Sequence, residues 1–408
     1  KTIETWYNLE NYKTNMDNNT NVDFLSKNIR NSIDNIAKRE GFINHKIIVK
    51  PVCTNGANYL GELFEVDIVE KDPKDEKVSH LFIKKIIEDS AMKVFDLNEL
   101  YLRESFFYNE LYNVFNELQD GAKVPVNERF NMIKGYKEHN PEAIILENVA
   151  IKGYKTINRL EVVSLKQAKL SVEQLARFHG LSLVLRELRP KYFEDKIKTI
   201  KSPFDMEEVN ILIKITSDYA LKCLKGESKK KFQIFAESIN ERYGQYISND
   251  TWKINVLTHG DYRISNLFAK EINGEVVDVI PLDYQLMFYN CPIYDFLFFI
   301  FTSTDQSFRK EHLSYLKDVY FDSLGNFLQF FNIDLETVYP KNLFEEDYKK
   351  CLDYGMLIAV HMLPLCLVAE HDFPNIGEEL NSWEFNLDEV YEKRMQEIVD
   401  DFIEWGYL

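Results

Sequence analysis

The stretch that constrains this chain most is Leu257-Thr258-His259-Gly260-Asp261-Tyr262-Arg263-Ile264-Ser265-Asn266-Leu267-Phe268. A short apolar run ends in His259-Gly260-Asp261, and Asn266 follows five residues after Asp261. A tight loop leaving an apolar strand can aim one carboxylate at an incoming hydroxyl. Its next turn can aim a carboxamide oxygen at a Mg²⁺ ion that bridges nucleotide phosphates. Residues 267–270 then read as a strand, Asn273-Gly274 as a type I′ turn, and 275–282, with Val276, Val277, Val279 and Ile280, as the returning strand. That strand runs into Asp283-Tyr284-Gln285, so a hairpin carries a second carboxylate back beside the first. Singly, each piece is an ordinary turn or a strand-end cap. The order Asp, Asn, hairpin, Asp carries the reading.

The same interval separates the base from the metal-binding Asn in the protein-kinase loop H-R-D-x-x-x-x-N, and a hairpin there leads to the metal-binding Asp of D-F-G. On that pattern Asp261 is the candidate base, and Asn266 and Asp283 are the candidate Mg²⁺ ligands. Upstream, 22–40 reads as an amphipathic helix with Phe24, Leu25, Ile29, Ile33 and Ile36 on one side. A strand at 47–52, the loop Asn55-Gly56-Ala57-Asn58-Tyr59 and a strand at 62–69 give the layout of a loop that folds over nucleotide phosphates. The loop lacks a full G-x-G-x-x-G, and by itself it is a hairpin turn. A third strand, 80–87, contains Lys84 and Lys85. Alternation puts Lys84 with Phe82 and Ile86, and Lys85 with Leu81 and Ile83. Lys84 is the favoured phosphate lysine because it follows the apolar run as in V-A-I-K.

Residues 96–118 form the next helix, with Leu100, Phe107, Leu111, Phe115 and Leu118 on its buried stripe. Glu104 falls on that stripe, where a carboxylate is costly unless paired. An ion pair with Lys84 supplies the partner, as in kinases. An apolar strand at 143–147 ends in Glu147-Asn148. The 147–152 segment, with Glu147 and Val149, is placed as the lobe junction whose backbone meets adenine. Residues 165–188 form a long helix with His179 on its inner face, where a satisfied core residue is the ordinary outcome. Asp295 opens a very apolar helix; it serves either as helix N-terminal charge or as an acceptor for backbone N–H groups of the Asp261 loop. Helices at 313–330, 344–368 and 387–405 follow.

Composition bounds the remaining classes. The 408 residues, 45% hydrophobic and 14% aromatic with only 15 Gly and 11 Pro, describe a folded chain long enough for two lobes. A formal charge of -17 disfavours nucleic acid as a partner. Five scattered cysteines with no C-x-x-C suit a reducing, cytoplasmic setting. The apolar stretches at 292–304 and 355–369 are short and polar-interrupted, so they read as buried helices rather than membrane spans.

Taken together, Gly56-Ala57-Asn58-Tyr59, Arg103-Glu104-x-x-Phe107-Tyr108, Ile145-Leu146-Glu147, Leu175-Ala176-Arg177-Phe178-His179-Gly180-Leu181-Ser182, Leu257-x-His259-Gly260-Asp261 with Asn266, Leu282-Asp283-Tyr284-Gln285 and Pro292-Ile293-Tyr294-Asp295-Phe296 resemble the ecdysteroid kinase-like (CHK kinase-like) proteins of insects. These are relatives of choline kinases and aminoglycoside phosphotransferases. The resemblance covers roughly residues 50–300 and implies an α+β, bilobal protein-kinase-like fold. A flexible arm (1–21) would precede a small β-rich N-lobe (22–147) and a large helical C-lobe (148–408). It implies transfer of the ATP γ-phosphate, with Mg²⁺, to a hydroxyl of a small molecule, an ecdysteroid or related hydrophobic polyhydroxylated compound. By the same resemblance Asp261 is the catalytic carboxylate, and Asn266 and Asp283 hold the metal. Lys84 paired with Glu104 steadies the phosphates, and the 55–59 loop covers them. His259, His179, Gln285 and Asp295 support the site. Two positions depart from the family: Arg263 stands where Trp is common, and Glu147-Asn148 where Glu-Asp is expected. The rival readings are a kinase for a cationic acceptor such as choline or an aminoglycoside, a protein kinase (disfavoured by the missing A-P-E segment), and a pseudokinase that binds a hydrophobic ligand.

Overall fold

The computed structural model describes residues 24–52, 61–71, 77–86, 96–138, 140–369, 372–374 and 378–408. The expected 1–21 arm and the 55–59 loop, with Asn55, Gly56, Ala57, Asn58 and Tyr59, lie outside them. The chain divides into two compact units.

The first unit takes the described parts of Lys1–Thr54, Leu60–Ile87 and Lys134–Ile151. It opens with helix α1 (Lys27–Arg39), whose N-terminus is capped by the Ser26 hydroxyl accepting from the Ile29 amide. Strands β1 (His45–Pro51), β2 (Gly61–Glu70), β3 (Val78–Ile86) and β4 (Ala143–Glu147) form an antiparallel sheet in the order β1-β2-β3-β4. Ile29, Ile33 and Ile36 of α1 pack on the alternate residues Phe64, Val66, Ile68, Leu81, Ile83 and Ile145. Period 3.6 on the helix and period 2 on the strands thus bury one face of each. Phe24, expected on the inner side of α1, precedes the helix and is 48% exposed. The first buried anchor is Leu25.

The second unit takes the described parts of Glu88–Ile133 and Lys152–Leu408. A single cut near 147 therefore does not describe the division. Helix α2 (Leu97–Phe106), a π-helical turn (Phe107–Leu111) and α3 (Tyr112–Gly121) belong with the C-terminal residues, because their buried side chains pack there. Here the strands are short: β5 (Tyr154–Thr156), β6 (Val256–Thr258), β7 (Leu267–Ile272), β8 (Glu275–Pro281) and β9 (Phe288–Asn290), paired as β5-β7-β8 and β6-β9. The β7–β8 turn has Asn273 and Gly274 both at positive φ, 55° and 80°, as a type I′ turn requires. Helix α4 (Leu165–Leu188) begins with a Ser164–Gln167 capping box. After α5 (Met206–Cys223), α6 (Gly226–Ala236) and α7 (Ile239–Ile247) come α8 (Ile293–Ser303), buried along its whole length, and α9 (Gln306–Gln329). Helix α4 runs against α9 so closely that a Cβ on Gly180 would sit 2.7 Å from the Phe327 ring. The helix expected over 344–368 is two, α10 (Lys341–Cys351) and α11 (Tyr354–Leu367), bent by 52°. Helix α12 (Glu389–Glu404) closes the unit. Among the described residues no single helix is long and apolar enough to cross a membrane; α10 and α11 meet that test only as a bent pair.

Candidate active site

Strand β6 pairs with β9 from Val256↔Asn290 to Thr258↔Phe288 and then releases the chain into the 259–266 loop. The loop is anchored from below. Asp295, in the first turn of α8, accepts the His259 amide at 2.6 Å and the Gly260 amide at 2.9 Å. His179 of α4 bridges the same carboxylate (Nε2 to Oδ2, 3.0 Å) to the Tyr320 hydroxyl (Nδ1, 2.7 Å). Gly260 has φ 81°, and a Cβ there would lie 2.1 Å from the Leu286 carbonyl oxygen, so only glycine fits. The His259 Nε2 meets the Leu282 carbonyl at 3.0 Å, while Nδ1 accepts the Asp261 amide at 3.4 Å. That pattern is the neutral tautomer protonated on Nε2, and burial pushes the His259 pKa below its ordinary value.

Asp261 is 5% exposed. One carboxylate oxygen, Oδ1, accepts Arg263 Nε at 2.9 Å; the other, Oδ2, accepts Asn266 Nδ2 at 2.8 Å. Asn266 Nδ2 also reaches the Asp261 carbonyl at 2.9 Å, so the five-residue spacing closes a ring of hydrogen bonds between the Asp261 residue and the Asn266 amide. Burial raises the Asp261 pKa, the Arg263 guanidinium opposes that rise, and the Asp283 carboxylate adds to it. The hairpin register sets Leu267 opposite Pro281, and the Leu282 amide donates to the Asn266 carbonyl at 3.1 Å. Leu282 therefore lies across from Asn266, and Asp283 is the residue that follows it. Its backbone is left-handed (φ 68°, ψ 64°), a conformation an Asp tolerates at a cost and one that clusters at functional sites. Gln285 Nε2 lies 3.4 Å from Asp283 Oδ2.

Helix α2 braces this arrangement. Arg103 Nη1 donates to the Met287 carbonyl at 2.8 Å, and the Phe107 ring stacks on Tyr284 with centroids 3.4 Å apart. The π-helical turn begins at Phe107 itself, the residue that makes the stack, and such turns favour functional sites. Glu104 is 3% exposed, so it sits on the buried stripe. Burial first, then the Glu104 carboxylate, hold the Tyr108 and Tyr284 hydroxyls well above the phenol range.

In the first unit, Lys84 lies between Leu63 and Ile144 in register, on the sheet face opposite the one that packs on α1. Lys85 is engaged elsewhere: its Nζ meets Glu62 at 2.5 Å. Glu147 ends β4 opposite Leu81, and Val149 is buried just beyond it. Of the residues singled out from sequence, the second unit brings together Asp261, Asn266, Asp283, Gln285, His259, Asp295 and His179. It also holds Glu104, whereas Lys84, Glu147 and Val149 belong to the first. Sequence reasoning did not find the grip of Arg263 on Asp261, the Arg103–Met287 bond, the Phe107–Tyr284 stack or the part played by Tyr320. The Arg103-Glu104-x-x-Phe107-Tyr108 pattern was the one available signal for two of these.

The donor set fits a magnesium ion. The Asn266 amide is oriented by its Nδ2 bonds, which leaves Oδ1 as the end for a cation, with the Asp283 carboxylate arriving from the hairpin. Among the described residues no cluster of three His, Cys, Asp or Glu side chains forms a metal cage. Mg²⁺ needs none where substrate phosphates and waters complete its shell.

Residues 55–333 match the model of the ecdysteroid kinase-like family. The GDP complex of wild-type aminoglycoside 2'-phosphotransferase-IIIa is similar at 12% identity, over 81% of this chain and 98% of that one, with a TM-score of 0.37. A glucosamine kinase in complex with glucosamine, ADP and inorganic phosphate is similar at 10% identity, over 89% of this chain and 84% of that one, with a TM-score of 0.40. A comparison with curated proteins found no match. With the family model matching well over half of its length, the chain belongs to the ecdysteroid kinase-like family and is a small-molecule kinase.

Proposed function

We propose that the chain moves the γ-phosphate of ATP to a hydroxyl of an ecdysteroid or a related hydrophobic polyhydroxylated compound. The observation that carries this reading is the buried Asp261 carboxylate, oriented by Arg263 and Asn266, with Asp283 delivered beside it by the β7–β8 hairpin. Asp261 orients the acceptor hydroxyl and takes its proton late. The bond from the γ-phosphorus to the β–γ bridging oxygen breaks, the bond to the acceptor oxygen forms, and ADP leaves. Asn266 and Asp283 would hold Mg²⁺, which would supply charge neutralisation for the transferred phosphoryl group. The family resemblance assigns Lys84, Glu104 and residues 55–59 to phosphate binding, and the Glu147 to Val149 segment to adenine. His259, His179, Gln285 and Asp295 keep the loop in shape, so that positioning is done before the acceptor arrives.

The acceptor side favours an apolar molecule over a cationic one. Cys366 near the end of α11 touches Arg263 (Nη1 to Sγ, 3.8 Å), and on the same helix Met362 and Leu365, one turn or less away, are partly exposed. Arg263 offsets the Asp261 charge instead of adding a second acidic group for a cation to seek, and the apolar Met362 and Leu365 suit a polyhydroxylated apolar ring system. The test is a mass-spectrometric screen with Mg-ATP against ecdysteroids, other polyhydroxylated plant compounds, choline and aminoglycosides, with Asp261→Asn as the blank. A gain of one phosphate on a steroid, absent from the blank, supports the reading. A gain on choline or an aminoglycoside alone replaces the acceptor class.

A further inference from the structure

Arg263 links two things a kinase must coordinate. Its Nε holds Asp261 Oδ1 at 2.9 Å, and its Nη1 reaches Cys366 Sγ at 3.8 Å, next to the partly exposed face of α11. Asn266 holds the other carboxylate oxygen. Both oxygens of the base therefore have a donor before any acceptor is present. The guanidinium is the more open of the two partners: the Arg263 side chain is 19% exposed against 7% for Asp261. Arg159 fixes the same end of α11 differently. It donates to the Cys366 and Val368 carbonyls, the latter at 2.7 Å.

The chemistry gives this arrangement a purpose. A carboxylate that deprotonates an alcohol next to a γ-phosphate also deprotonates water, and water is always there. A charge-assisted hydrogen bond to a buried carboxylate is stronger than the one water offers in exchange. An acceptor bound along α11 has binding energy to spend on moving the guanidinium aside, which water lacks.

We propose that Arg263 is a positioning residue that selects the acceptor hydroxyl over water, holding Asp261 Oδ1 until an acceptor on the α11 face displaces it. The proposal rests on the phosphotransferase reading above. The side reaction it suppresses is ATP hydrolysis: the γ-phosphorus exchanges its bond to the β–γ bridging oxygen for one to water, the water proton passes to Asp261, and ADP and inorganic phosphate leave. Removing Arg263 exposes Oδ1 to water, so hydrolysis without acceptor rises.

The experiment measures inorganic phosphate release from Mg-ATP by the full chain with no acceptor, alongside Mg-ATP binding by calorimetry. Arg263→Leu is expected to raise hydrolysis several-fold with binding retained. Arg263→Gln serves the same purpose if the leucine variant does not fold. Arg263→Lys restores a cation at the site and brings hydrolysis back toward the unmodified level. Arg159→Leu loosens the same end of α11 without touching Asp261 and leaves hydrolysis low. Adding Asp261→Asn to Arg263→Leu removes the gain. Unchanged or lower hydrolysis in Arg263→Leu with Mg-ATP still bound overturns the proposal, as does an equal rise in Arg159→Leu. Failure of the unmodified chain to bind Mg-ATP overturns the phosphotransferase reading instead.

Discussion

Asp295 and Asp261 meet the two ends of one short loop and are buried almost equally, at 0% and 5% exposure, yet they are held by different partners. Asp295 accepts two backbone amides, His259 and Gly260, and the ring of His179, which is itself braced by Tyr320. Among the described residues the Asp261 carboxylate accepts only from side chains, Arg263 and Asn266. Backbone donors cannot leave without unfolding the loop. Side-chain donors can rotate away and admit another partner. A buried carboxylate tied to main chain is an anchor, and one tied to side chains is available as a reagent.

The largest expected effect separates the two by activity. Asp261→Asn keeps the volume but leaves one acceptor oxygen for two donors, Arg263 and Asn266, so the unfolding midpoint in urea should fall, though less than at Asp295 because the Arg263 side chain is partly exposed and can turn to water. Phosphotransfer to the acceptor found in the screen should fall by about 10²- to 10⁴-fold, the usual worth of a general base. Near-normal kcat in this variant would remove Asp261 from the chemistry.

The opposite pattern is expected at the anchor. Asp295→Ala strands two amide N–H groups and a histidine N–H inside the unit, a loss of about 3–5 kcal/mol of stability when a buried charged partner is removed. Urea unfolding measures it directly, and activity should fall in step with the folded fraction. A variant that stays fully folded but loses kcat would break the comparison, because Asp295 would then be acting on the reaction.

Much of this site was legible because its constraints are local in sequence. The Asp261–Asn266 interval closes within one loop, and the Asn273-Gly274 turn fixes the register that returns Asp283. Strands β1 to β4 and helix α4 were readable from period 2 and period 3.6 for the same reason. What escaped was set by partners far away in the chain. The π-helical turn at Phe107 has no composition signal, and its reason is a ring 177 positions later, Tyr284. Assigning helix α2 to the second unit follows from that packing and not from chain order. The break between α10 and α11 falls at Leu352-Asp353, inside an otherwise continuous helical pattern. Arg263 was visible as a departure from the family, but its bond to Asp261 depends on a rotamer, which no spacing rule reports.

A third buried group sharpens the comparison because one of its ring nitrogens has neither kind of holder among the described residues. His361 of α11 is buried, its Nδ1 has no hydrogen-bond partner among the described residues, and the Tyr243 ring lies 5.6 Å from it, centroid to centroid. Burial alone pushes its pKa from 6.5 down to about 4. The folded state therefore resists protonation that the unfolded chain accepts. Between these values the unfolded chain binds more protons, so stability is complete above pH 6.5 and is lost as pH falls toward 4. From pH 7 to pH 5 this one group should remove about 2 kcal/mol, seen as a falling urea midpoint. His361→Phe keeps an aromatic ring against Tyr243 and has no proton to gain, so its midpoint should fall less over the same range. An equal fall in both proteins would place the acid sensitivity elsewhere. A flatter curve in the variant would show that a buried ring held by neither main chain nor carboxylate at Nδ1 is a liability in acid.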